Sequence, residues 1–160
     1  MCNVVISTIK STIKTIPLAS VQDFFCGKVI NVGTKDCGLG LDIEKGGVYG
    51  FAIKIDCKDK YTVFSSIKEY KNFKKIEVTN WKPIEDDYYP LYWGTDMNLG
   101  TRITAHIKNF AGTGAIHLCD SRYNSIKKYE IIYGAVLCSE RKSVENALLK
   151  KYPCILKTFK

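Results

Sequence analysis

Tyr92, Arg102 and His106 follow one another at intervals of ten and four residues, and Glu145 lies three residues ahead of Leu148-Leu149. These residue types could serve a metal-assisted cleavage of a phosphodiester. A hydroxyl or imidazole orients or deprotonates the attacking water, a guanidinium spreads the charge of the pentacovalent phosphate, and a carboxylate holds a hard cation. Tyr49, at the end of Gly47-Val48-Tyr49, adds a second phenol.

The elements around these residues must bring them together. Asn98 is a suitable N-cap for a helix in which Leu99, Ile103, Ile107 and Phe110 recur at helical spacing. Arg102 and His106, four apart, are then neighbours on a flanking side. Residues 47–55 alternate and are rich in strand formers, and Leu91-Tyr92-Trp93 makes another short strand. Residues 128–137 give the strongest strand signal. A last helix is expected over 140–151, with Val144, Leu148 and Tyr152 on one stripe and Glu145 beside it.

Elsewhere the pattern is weaker. Residues 4–16 alternate loosely and are β-branched until Pro17 breaks them, Ser20 to Phe25 suggests a short capped helix closed by Gly27, and 28–32 a short strand. The glycines of 38–47 mark a loop without a phosphate-cradling pattern. A helix is expected over 64–73, a short strand over 75–78, and an acidic turn at Glu85-Asp86-Asp87.

At 160 residues, 46% hydrophobic and 25% charged, the chain fits a single globular domain spanning 1–160. It has no apolar run of membrane-spanning length and no recognisable leader, so a cytoplasmic protein is expected. Seven cysteines without a C-x-x-C pair and two histidines give little support for zinc. The net charge of +8 is concentrated beyond residue 120, where nine Lys and Arg face only Glu130, Glu140 and Glu145. A basic third of this kind suits a nucleic-acid partner, and equally a solvated lysine-rich surface.

Taken together, Gly47-Val48-Tyr49, Tyr92-Trp93-Gly94, the helix with Arg102 and His106, and Glu145 with Leu148, Leu149, Tyr152 and Pro153 resemble the GIY-YIG nuclease family. Tyr92 to His106 follows the family's second motif and helix without a gap, through Leu99 and Arg102. The resemblance covers about residues 47–157, leaving 1–46 as an N-terminal extension and 57–90 as an insertion between the first two core strands. The wide gap and the helix histidine are most similar to the restriction-endonuclease branch.

The resemblance implies an α/β (α+β) fold with a small, mainly antiparallel three-stranded sheet flanked by helices. It implies a DNA endonuclease in which Glu145 ligates Mg²⁺ or Mn²⁺, Arg102 stabilises phosphate charge, and Tyr49 and Tyr92 stand near the attacking water. His106 is the better base by its intrinsic pKa of about 6.5; a phosphate contact or a satisfied, partly buried histidine is the alternative. Thr95, Lys142, Lys150, Lys151 and Lys157 would contact double-stranded DNA, and a two-fold homodimer would suit a palindromic site. Trp93 is expected in the core and His117 in a structural role. Where the family usually has an asparagine past the proline, this chain has Lys157, which leaves an inactive nucleic-acid binder or inhibitor as the alternative.

Overall fold

A computed structural model describes residues 2–29, 46–108, 114–118 and 121–158. Most of the glycine-rich stretch, the far end of the strand expected over 28–32, and Phe110 lie outside these residues. Four strands, β1 (Val21–Lys28), β2 (Gly47–Lys54), β3 (Tyr88–Asp96) and β4 (Ile131–Cys138), form one open antiparallel sheet in the order β1-β4-β2-β3. Helices α1 (Val4–Ile13), α2 (Lys60–Lys68), α3 (Leu99–Ile107) and α4 (Arg141–Lys151) complete this mixed α+β fold.

Strand alternation sends the β2 side chains into two cores. Tyr49, Phe51 and Ile53 join Val63, Phe64 and Ile67 of α2 and Leu99, Ile103 and Ile107 of α3. Val48 and Ala52 join Trp93, Val5, Ile6 and Ile9 of α1, and Val144 and Leu148 of α4. With both faces covered, every residue of β4 is buried. Each large aliphatic side chain buried in this way contributes about 1.5–3 kcal/mol of transfer free energy.

The sheet has four strands rather than the expected three, and the fourth, β1, comes from the N-terminal extension. The stretch read as a short helix, Ser20 to Phe25, forms most of β1. Pairing with the buried β4 outweighs its weak local pattern, and Phe25 and Phe24 are divided between the two cores. The β-branched stretch before it is helix α1. Asn3 caps it by accepting from the Ile6 N–H at 3.1 Å, while Thr8 and Thr12 donate their hydroxyls to the carbonyls four residues back. Val5, Ile6, Ile9 and Ile13 thus face the sheet at helical spacing.

Between β2 and β3 the expected helix ends early, at Lys68, and residues 75–78 do not form a strand. A 3-10 turn covers Val78–Asn80, and Phe73 makes an isolated bridge to Leu156. Strand β3 begins before the expected Leu91 and runs through Pro90, a residue tolerated because β3 is an edge strand. Among the described residues no helix is long and apolar enough to cross a membrane.

Candidate active site

The two tyrosine-bearing tripeptides lie side by side. In the β2–β3 ladder Tyr49 is opposite Gly94 and Phe51 opposite Tyr92, after which the register shifts so that Ala52 meets Pro90. Leu91 is the extra residue of this bulge, and Leu91 and Tyr92 both pack against the core on the Tyr49 face. A bulge re-aims side chains in this manner. The Tyr49 and Tyr92 rings are 5.9 Å apart between centroids.

Helix α3 brings two more groups to the phenols. Its N-terminus is fixed by Asn98, whose side chain accepts from the Thr101 N–H at 3.2 Å, and by Leu99, Ile103 and Ile107 in the core. His106 then lies over the tyrosines, with its ring centroid 4.7 Å from that of Tyr92 and 5.4 Å from that of Tyr49. The Tyr49 Oη and His106 Nε2 are 2.6 Å apart.

The direction of that bond follows from the other ring nitrogen. The Ile116 backbone N–H donates to His106 Nδ1 at 3.0 Å, so Nδ1 carries a lone pair and the neutral ring holds its proton on Nε2. Nε2–H therefore donates to the Tyr49 oxygen. His106 is fully buried, and burial, with smaller contributions from Arg102 and His117, lowers its pKa to about 3. The intrinsic pKa that recommended His106 as a base is thus displaced, and both nitrogens are engaged.

The phenols and the guanidinium share one field. Burial raises the Tyr49 pKa well above its ordinary value; Tyr92 reinforces this and Arg102 opposes it. Burial also raises Tyr92, with Tyr49 and Arg102 pulling it down and Cys154 and Glu145 pushing it up. Burial disfavours the Arg102 charge, but Tyr49, Tyr92 and Asp96 outweigh it and leave the pKa raised. Arg102 Nε stands 4.0 Å from Asp96 Oδ2 at the end of β3.

Glu145 lies on α4, which packs against the other side of the sheet. Val144 and Leu148 bury one stripe of α4 there, and Trp93 donates its indole N–H to the Tyr152 carbonyl at 2.9 Å, pinning the end of α4 to β3. The chain then turns around the β3 edge. Cys154 belongs to one core, Ile155 and Leu156 to the other, and the Leu156 N–H donates to the Leu91 carbonyl at 3.0 Å. The Glu145 side chain is 13% exposed and meets the Lys142 ammonium at 3.2 Å. Its carboxylate exerts the smallest of the electrostatic influences on Tyr92.

Tyr49, Tyr92, Arg102 and His106 are therefore brought together, whereas Glu145 is tied to them only by a minor electrostatic influence on Tyr92. Thr95 is not among them. It pairs with Val48 and so shares the opposite face of the sheet. Lys142 is one turn from Glu145, whereas Lys150 and Lys151 are exposed at the far end of α4 and Lys157 is exposed beyond it. Trp93 is buried in the core as expected, and His117 is buried with φ 53° and faces the Lys108 carbonyl. Asp96 and the Ile116 N–H are contributors that no sequence spacing singles out, because both act through the tertiary fold.

No group of three or more His, Cys, Asp or Glu side chains suited to a metal occurs among the described residues. A single carboxylate does not make a zinc or calcium cage, but it fits Mg²⁺, which keeps several waters and completes its shell with substrate phosphate. No protein-family model, curated protein or solved structure matches the chain.

Proposed function

We propose that the protein is a Mg²⁺- or Mn²⁺-dependent endonuclease of the GIY-YIG type that hydrolyses DNA phosphodiester bonds. The observation that carries this reading is the Tyr49–His106 hydrogen bond with the Tyr92 ring and Arg102 around it. The adjacent antiparallel pairing of the two tripeptides, with α3 directly after the second, supports it.

The residues divide the work by their environments. His106, neutral with its proton on Nε2, fixes the Tyr49 oxygen, and the Tyr49 hydroxyl proton, directed at Tyr92 in the free protein, would turn to a water or a phosphate oxygen when substrate binds. Burial keeps Tyr49 protonated at rest, so it orients the water through that proton. Arg102 stays charged and presents a planar fork that suits two phosphate oxygens. Glu145 would hold the metal ion, which supplies charge neutralisation at the scissile phosphate when bound.

A second reading, a nucleic-acid binder without catalysis, draws on Lys142 occupying Glu145 and on Lys157 beyond Pro153. One experiment separates the two: supercoiled plasmid incubated with purified protein and Mg²⁺. The wild-type protein is expected to nick or linearise it, and Glu145→Ala and Arg102→Ala to be slower by about 100-fold or more. Equal absence of cleavage in all three would leave only the binding reading.

A further inference from the structure

The insertion between β2 and β3 builds a cavity of about 580 Å³ whose rim and floor differ in chemistry. Lys68, Lys71, Lys75 and Lys157 stand around it with Glu77 as the acidic member. The floor is supplied by Phe64, Phe73, Ile76 and Val78. All four lysines are exposed, and none forms an ion pair with another described residue. The volume lies within the range of about 300–1,000 Å³ usual for small-molecule sites.

Backbone hydrogen bonds link one wall of this cavity to the tyrosine-bearing strand β3. The backbone N–H of Lys157 donates to the Asn72 carbonyl at 2.9 Å, and that of its neighbour Leu156 to Leu91, the residue before Tyr92. Lys75, on its rim, holds φ 31°, a backbone state that L-residues rarely adopt.

An apolar floor with aromatic rings, ringed by ammonium groups, matches a planar base carrying phosphate on either side. We infer that this cavity holds an unpaired nucleotide of the DNA strand, with its base on the Phe73–Val78 floor and its flanking phosphates on Lys68, Lys71, Lys75 and Lys157. The inference rests on the nuclease reading for its choice of DNA. The insertion then serves to take a nucleotide out of the duplex stack, or to select a strand that already has one free.

The test is equilibrium binding without divalent metal, so that no cleavage is needed. Fluorescence anisotropy would compare a labelled duplex carrying one extrahelical nucleotide with the fully paired duplex. The wild-type protein is expected to favour the first by about tenfold. Val78→Trp, which fills the cavity and leaves the lysines, should remove that preference while retaining affinity for the paired duplex. Lys68→Glu with Lys71→Glu, both exposed changes, should weaken binding to both.

A preference near one in the wild-type protein, or an unchanged preference in Val78→Trp, would overturn the inference. So would a free nucleoside monophosphate that occupies the cavity without competition from the strand. If plasmid is never cut yet the preference and its loss are observed, the nuclease reading fails and the nucleotide site stands.

Discussion

Tyr49 and Gly94 face each other across the β2–β3 ladder, and the Tyr49 hydroxyl lies 2.6 Å from where a Cβ on Gly94 would be. The glycine of Tyr92-Trp93-Gly94 is therefore the space into which the other tripeptide's phenol fits. A Cβ there would also meet Tyr92 Cε1 at 2.8 Å. Gly94→Ala is expected to displace both phenols and to destabilise the fold by about 1–3 kcal/mol. Cleavage should fall by more than the folded fraction does, as read by thermal melting alongside plasmid cleavage.

Tyr49→Phe separates a core tyrosine from a working one. Phenylalanine preserves the ring contacts but leaves the buried His106 Nε2–H without its acceptor, a cost of about 1–3 kcal/mol by urea denaturation. Cleavage by the remaining folded protein should fall by about 100-fold or more. Unchanged cleavage per folded molecule would assign Tyr49 to packing alone.

Acid stability should report His106. Its folded pKa of about 3 lies below the unfolded value, so between them the unfolded chain binds the extra proton. This contribution is fully present above the unfolded pKa near 6.5 and is lost as pH falls toward the folded value, at up to ~1.4 kcal/mol per pH unit. Urea denaturation between neutral pH and the acid limit of folding should give a steeper loss in the wild-type protein than in His106→Gln. Parallel curves would rule out a buried neutral imidazole.

The helical stripe of α3, the alternation of β2 and the buried run of β4 were legible in the sequence because each residue's burial follows the period of its own element. Arg102 and His106 could be grouped because they stand four apart on one helix, while Tyr49 and Tyr92 join them only through the resemblance of the two tripeptides, the long stretch between them carrying no spacing signal. Strand β1 and helix α1 were not legible. Val21 to Phe25 is made a strand by β4, and the β-branched residues of α1 favour extended chain until the sheet gives Val5, Ile6, Ile9 and Ile13 a surface to cover. The neutral state of His106 was hidden for a similar reason, since it depends on burial and on the Ile116 N–H.

In the proposed nuclease, Lys142 would compete with the metal for Glu145, which it meets at 3.2 Å. Because its side chain is 74% exposed, the ion pair is worth less than about 1 kcal/mol, and Lys142→Ala should leave thermal stability nearly unchanged. The same change should lower the Mg²⁺ concentration needed for half-maximal cleavage. A metal requirement unaffected by the substitution would remove Glu145 as the ligand.

Lys150 and Lys151 would test how far the proposed DNA contact extends along α4. Replacing both by alanine should make the dependence of log K on log salt shallower by about 2 if each neutralises one phosphate. An unchanged slope in binding titrations at several salt concentrations would confine the DNA to the opposite end of the helix.

Gly50, directly across the ladder from Trp93, leaves the indole so close that a Cβ would lie 2.5 Å from Trp93 Cζ3. Its α-protons consequently lie within the ring current of the indole. In a proton NMR spectrum they should appear displaced from the ordinary glycine region, giving a marker of correct strand registration that needs neither substrate nor metal.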